Sequence, residues 1–585
     1  MRSASQAPPL ATAPMHTLPT SPIVQSPING ESRASQLPLN LIALIITYID
    51  DVADLARVTR TSRVLHYMTI PRLYENVTLR SYDSIRYVDG RPEGFGSGSP
   101  FAMALNGLVT RSVTDYIKHF RLWGDWKEAD VQNLAKGRIP DSSLLLNVAV
   151  RAAIDKMPML ESFSWELSTK PLKTVYQGLA ARSTLRALKI RFPSTRMPRP
   201  TAIIPPMPNL RSFTALDIDP LCYPDDMSVF LSQSKKLESL VLHFHPRIRE
   251  KAEPSISLDA IFGLCAGTKQ PLRLRHFALH NLYAAMNRHL HQAIVTDTLE
   301  SETMLNCGGT SNENPMTVFL DETWRLCEPD TPPLNLKQFR CDFIDKSFPR
   351  FLAEMPSLER IYLVSARRQP SNSDPSTSTS APSQPGSTHA SPLLTPDQTP
   401  PEASPATASL AALYLNSITA RHGANLTHLL LSHHWTLGAD EIGQLVRGCP
   451  NLTQLGVSMY DDNISLMRLL LPFLTKLVAC RVLMDPASPA LVQQLEAMEV
   501  QHHEVGMGLD LVGAQFDKFR WVGVGRLCFE VGRVISEMVV GEDGAEFERK
   551  RRVVKGVPYD VVKDIAIWKM DSHEIDEYPL TMLGK

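Results

Sequence analysis

Ten segments between residues 160 and 481 share one arrangement of apolar and polar positions. They are LESFSWEL from Leu160, LRALKIRF from Leu185, LRSFTAL from Leu210, LESLVLHF from Leu237 and LRHFALHN from Leu274. LKQFRCDF from Leu336, LERIYLVS from Leu358, LTHLLLSH from Leu426, LTQLGVSM from Leu452 and LTKLVACR from Leu474 follow. Nearly all fit Leu-x-x-Φ-x-Φ, where Φ is apolar. Successive side chains of a strand alternate in direction, so the two Φ positions share a face and the residues between them share the other. The steps from Leu160 to Leu185, Leu210 and Leu237 are nearly equal, and those from Leu336 to Leu358 and from Leu426 to Leu452 and Leu474 match them. The stretches 170–183, 257–267, 439–449 and 489–499 carry apolar residues three or four apart, which predicts helices. One strand and one helix per step predict an α/β fold built as a curved parallel solenoid.

These steps fall in the period of about 20–29 residues that leucine-rich repeats keep, and the pattern resembles theirs. Two departures mark these copies as degenerate. The asparagine that usually closes the turn is missing, with Pro193, His245 and His434 falling near its place, and the steps 237 to 274, 274 to 336 and 358 to 426 are long. The pattern divides the chain. Residues 1–35 are a Pro/Ser/Ala-rich tail without period, expected to be disordered. A helical unit at 36–80 and a connecting region at 81–154 precede the first part of the solenoid, 155–369. A Pro/Ser/Thr-rich insertion at 370–405, also expected to be disordered, interrupts it before the second part, 406–500. Residues 515–585 look β-rich, with an Asp-Gly hairpin signal in the 541–544 turn, and are expected to cap the last repeat.

Within the helical unit, LPLNLIALIITYIDDVADLARVTRTSRVLHYMTIPRLY (37–74), the first helix is apolar on almost every side through Leu41, Ile42, Leu44, Ile45, Ile46 and Ile49. Such a helix is buried on both flanks, by its own domain and by something else. Asp51 is placed to cap a second helix through Leu55 and Val58, with Asp54 at its third position, and Pro71 is expected to stop a third. The Leu-Pro start, the Ile45-Ile46 doublet, the Asp51-x-x-Asp54-Leu55 step, the Arg60–Arg63 run and the Ile-Pro-Arg-Leu-Tyr exit resemble an F-box. With the repeats that follow, the chain resembles the leucine-rich-repeat branch of F-box proteins. That resemblance implies a non-enzymatic substrate receptor, which docks on a Skp-type adaptor and through it on a cullin scaffold, while the repeats select a protein for ubiquitination. It implies an adaptor-binding set of Leu37, Pro38, Leu41, Ile45, Ile46, Leu55 and Val58. Asn40 stands where an acidic residue is common, and Val64-Leu65 where an aromatic often follows the basic pair.

On the solenoid reading, Lys189, Arg191, His243, His280, Arg340, Asp342, Tyr362 and Leu430 line the concave face that would meet the protein substrate. Tyr362 and Leu430 stand out there, because apolar side chains on that face would be exposed without a ligand.

Composition removes several alternatives. Sixty basic residues face 61 acidic ones, so no cationic excess supports nucleic-acid binding. No Cys pair has C-x-x-C spacing, and the pairs His433-His434 and His502-His503 lack ligand-spaced partners, so neither metal nor cofactor is expected. Gly523-x-Gly525 lacks a third glycine and a helix, and no P-loop, G-x-S-x-G or H-E-x-x-H motif occurs. The longest early apolar stretch, 37–49, is too short to span a bilayer, and cytoplasm or nucleus is the expected compartment. The Arg549–Arg552 run is read as a solvated strand end.

Overall fold

The computed structural model describes residues 38–93, 99–126, 142–192, 202–219, 225–246, 258–282, 290–306, 335–342 and 348–364. It further describes 405–433, 435–459, 471–483, 512–525, 527–540, 546–572 and 574–575. The chain divides into two compact units at Leu73/Tyr74.

The first unit is three helices, Leu39–Thr47, Val52–Val58 and Arg63–Leu73. Asp51 caps the second, its carboxylate accepting from the Ala53 and Asp54 backbone N–H groups at 2.6 and 3.4 Å. Pro71 does not stop the third helix, which runs on to Leu73. A proline in the last turn forfeits a single intrahelical bond, and no long continuation remains to be disrupted.

The second unit is α/β, with one large, mostly parallel sheet. Its strands begin with β1 (Asn76–Ser81); a small hairpin, β2 (Tyr87–Val88) with β3 (Arg91–Pro92), stands apart. Then come β4 (His119–Gly124), β5 (Ser162–Leu167), β6 (Ala187–Arg191), β7 (Ser212–Ile218), β8 (Ser239–Phe244), β9 (His276–His280) and β10 (Ser301–Leu305). β11 (Gln338–Cys341), β12 (Arg360–Leu363), β13 (His428–Leu430), the short β14 (Thr436–Leu437), β15 (Gln454–Met459), β16 (Ala479–Leu483) and β17 (Trp521–Val524) continue it. β1 pairs with β4, and from there each strand pairs in parallel with the next in the chain, apart from β14, which lies beside β15. β18 (Leu527–Val540) and β19 (Glu546–Val557) then reverse direction as an antiparallel hairpin, closed by the pair Val540↔Glu546.

The register adds copies of the pattern that the leucines alone do not mark. Aligned through their strand pairs, Tyr74, Ile117, Leu299 and Phe519 take the leading position before β1, β4, β10 and β17. The region 81–154 is therefore not merely a connection, β1 belongs to the sheet rather than to the helical unit, and the FRWVGV stretch extends the parallel sheet. The last leucine also moves. Gln454 pairs with Ala479, so Leu477, Cys480 and Val482 match Leu452, Leu455 and Val457, and the repeat starts at Leu477 rather than Leu474. Leu474 accepts a bond from the Leu477 N–H, as Cys449 does from Leu452 and Met157 from Leu160. A leucine in that preceding turn imitates the leading one that follows it.

The Φ residues bury one face of the sheet: Phe163, Trp165, Leu188, Ile190, Leu240, Leu242, Phe277 and Leu279 all lie in a continuous core. Helices at Lys173–Ala180, Asp259–Gly267 and Ala439–Gly448 fall inside the helical stretches expected there; 489–499 lies outside the described residues. Turn closure is partly by asparagine after all, one place earlier than expected. Asn281 and Asn306 have φ of 56° and 53°, and Asp217 and Gly124 take the same left-handed place in their copies. The Asn281 side-chain amide donates to the Phe244 carbonyl of the preceding turn at 3.2 Å. Beyond β19 the described residues are helical rather than β, with helices Tyr559–Val562 and Ala566–Lys569.

Candidate functional site

The first helix of the N-terminal unit presents two apolar stripes. Ile42, Ile46 and Ile49, spaced four and three positions apart, turn inward, and Ile46 is 4% exposed. Leu41, Leu44, Ile45 and Tyr48 turn outward, and Ile45 is 53% exposed. Leu39 and Val52 are exposed as well. Clustered exposed apolar side chains are a feature that interaction surfaces share. Among the residues assigned to the adaptor, Pro38, Leu41 and Ile45 are exposed and Val58 is half-buried. Ile46 and Leu55 are corrected: both fill the unit's own core, so they hold the helices together and are not free to touch a partner. Leu37 lies outside the described residues. Leu44 and Tyr48 join the surface; their spacing from Leu41 was the available signal.

On the sheet, the face opposite the Φ residues carries the residues assigned to substrate. At the β4–β8 end this face is polar and partly open. Arg121 on β4 lies 2.8 Å from the Glu166 carboxylate at the end of β5, which also accepts from Ser164 Oγ at 2.6 Å and faces Lys189 of β6 at 3.4 Å. Burial pushes the Glu166 carboxyl up, but Lys189, the Ser164 hydroxyl and Arg121 outweigh it and hold the group below the usual carboxylate range. Arg191 donates to the Glu166 carbonyl at 3.2 Å and pairs with Asp217 at 3.1 Å. Asp217 in turn faces His243, whose ring lies 5.9 Å from that of His280. Lys189, Arg191 and His243 are half-buried, and His280 is buried.

Toward β17 the same face is covered by the chain's own C-terminal helices, which corrects the expectation for Tyr362 and Leu430. Both are buried, in one apolar cluster with Leu305, Val364, Leu483 and Met570. Arg340, 1% exposed, donates to the backbone carbonyls of Met570 and Ser572 at 3.0 and 2.5 Å. Arg481 pairs with Asp571 at 2.8 Å, and the Gln454 side chain accepts from the Ile567 N–H at 3.1 Å. Asp342 is half-buried and accepts from the Asn306 N–H at 2.8 Å. Gly523 makes the fit possible: a Cβ there would stand 2.7 Å from the Trp568 ring. That close approach gives Gly523 a packing role in place of a nucleotide-binding one.

Two buried groups, Glu302 in the sheet and His422 at the end of the helical turn Ile418–His422, depart from ordinary titration. Glu302 on β10 occupies a Φ position, without a hydrogen-bond partner among the described residues, and burial pushes its carboxyl up to about 8. His422 accepts from the Leu358 N–H at Nδ1 and donates from Nε2 to the Leu352 carbonyl, both at 3.0 Å, and burial brings it down to about 4. Burial also pushes the Cys449 and Cys480 thiols up to about 12, which leaves them protonated and weakly nucleophilic. Among the described residues no three His, Cys, Asp or Glu side chains converge as metal ligands would, and no helix is long and apolar enough to cross a membrane.

Comparison with protein-family models gives no match, and neither does comparison with curated proteins.

Proposed function

We propose that the chain is the substrate-recognition subunit of an SCF-type ubiquitin ligase, in which the helical unit docks on a Skp-type adaptor and a leucine-rich-repeat solenoid holds a protein substrate. One observation carries this reading: a three-helix unit exposes the apolar stripe Leu41, Leu44, Ile45 and Tyr48 while Ile46 and Leu55 complete its core. The order of the chain supports it too, since the F-box-like segment is followed by parallel strands in chain order that keep the Leu-x-x-Φ-x-Φ pattern. In this role the chain performs no bond chemistry itself. It brings a substrate to a conjugating enzyme held by the cullin scaffold.

The test is a pull-down of purified Skp-type adaptor by the full chain and by Leu41→Asp/Ile45→Asp. Both positions are exposed, so the variant keeps its fold, whereas a change at Ile46 would empty the core. Burying carboxylates in the interface should cost at least about 2 kcal/mol, more than tenfold in affinity. No binding by the folded wild type overturns the reading. Binding without any change in partner turnover on deletion would leave an interaction scaffold.

A further inference from the structure

The outward positions of β1, β4, β5 and β6 carry four cations, Arg80, Arg121, Lys189 and Arg191, against one carboxylate, Glu166. That carboxylate is buried and already engaged by Arg121, Lys189 and the Ser164 hydroxyl, so it neutralises only part of the row. Asp217, on β7, serves Arg191. Arg80 is held by aromatic rings instead of an anion: its guanidinium lies 4.0 Å from the Trp123 ring centre and 4.7 Å from that of Tyr82. Arg86 lies 4.2 Å from the Tyr82 ring as well, and it pairs with Glu93 at 3.8 Å. Stacked guanidinium groups are oriented in advance and keep their hydrogen-bond donors free at the edges, which suits carboxylate recognition.

We propose that this end of the sheet binds an acidic, extended segment of a partner protein, seated across β1, β4, β5 and β6 on Arg80, Arg121 and Arg191. The outward face from β11 to β17 cannot serve, because residues 566–572 cover it. Three strand spacings of roughly 4.8 Å place the outer cations about 14 Å apart, the reach of roughly four residues of extended chain. The fitting ligand is a short run with two or three carboxylates. A nucleic-acid strand fits less well, since Trp123 and Tyr82 already have guanidinium groups on their faces and offer the bases little free stacking surface. The proposal deepens the receptor reading by giving its substrate a chemical class, and its test does not depend on the adaptor.

The experiment is fluorescence anisotropy of a labelled peptide of six glutamates flanked by glycines, titrated with the full chain. Saturable binding that weakens with added salt is expected. Arg80→Ala/Arg191→Ala should weaken it at least about fivefold, while Lys550→Ala in the distal β18–β19 hairpin leaves it unchanged. Arg121→Gln, which retains a polar partner for Glu166, should weaken it as a single change. Circular dichroism checks that each variant is folded. No binding, binding insensitive to Arg80, Arg121 and Arg191, or tighter binding of an oligothymidylate of equal charge would each overturn the proposal. Peptide binding without adaptor binding would sustain it and remove the ubiquitin-ligase reading.

Discussion

The two ends of the sheet's outward face use arginine in opposite ways. Toward β17, Arg340 and Arg481 are sunk beneath the C-terminal helices and bonded to that segment's carbonyls and to Asp571. Toward β1, Arg80 and Arg121 are exposed and rest on Trp123, and Arg121 also pairs with Glu166. The neighbours account for the difference. Beside Arg340 stand Tyr362, Leu430 and Leu305, whose apolar surface gains free energy when covered, and the covering brings two carbonyls into reach of the cation. Beside Arg80 stand Trp123 and Tyr82, whose rings the guanidinium itself covers, and on β5 and β6 beyond them stand the charged Glu166, Lys189 and Arg191. An outward residue's type therefore says little on its own about whether it meets a ligand; the polarity of adjacent strands decides it.

The strongest way to break this contrast is Trp568→Ala. Trp568 is buried against Gly523, and losing the ring should destabilise the covered end by about 3–5 kcal/mol. Faster hydrogen exchange in β15–β17, with β4–β6 unaffected, is the expected reading. Equal loosening at both ends would show that the cover braces the whole sheet.

A smaller, pH-dependent effect comes from Glu302. Its folded value of about 8 lies above the ordinary carboxylate value, so between about pH 4.5 and 8 the folded chain holds a proton that the unfolded chain has released. Stability should therefore fall as pH rises through that window, by on the order of a few kcal/mol in all, at about 1.4 kcal/mol for each pH unit crossed. Urea titrations between pH 5 and 8 would show the decline, and Glu302→Gln should flatten it. A decline that persists in the variant would assign it to other groups. Arg80→Ala should have the smallest effect on stability, under about 1 kcal/mol in the same assay, because an exposed cation–π contact is worth little. A larger loss would mean that the open end is structurally braced as well.

Much of the parallel sheet was legible because leucine at the leading position is distinctive and ten copies carry it. Copies led by Tyr74, Ile117 or Phe519 escaped, since an aromatic or β-branched residue fills the same hole without announcing a repeat. The Leu299 copy escaped for another reason: Glu302 stands where an apolar residue belongs. In the N-terminal helix, apolar residues on nearly every side concealed which isoleucine of the 45–46 pair turns inward, and that depends on how the three helices pack. The cover over Tyr362 and Leu430 was the least legible feature. Their apolar character signals that something lies on them, but the partner, Met570, sits far along the chain, beyond the last parallel strand. Local pattern carries no information about such a pairing.

The spacing between strands has a consequence for engineering. Register holds across the short step from Gln338 to Arg360 and equally across the far longer one from Arg360 to His428. Closing a loop of twice the length costs only about 0.6 kcal/mol more, so the β12–β13 connection is a natural splice point. A fluorescent protein inserted there should leave both neighbouring strands paired, and the chain could then report its own location without a tag at either terminus.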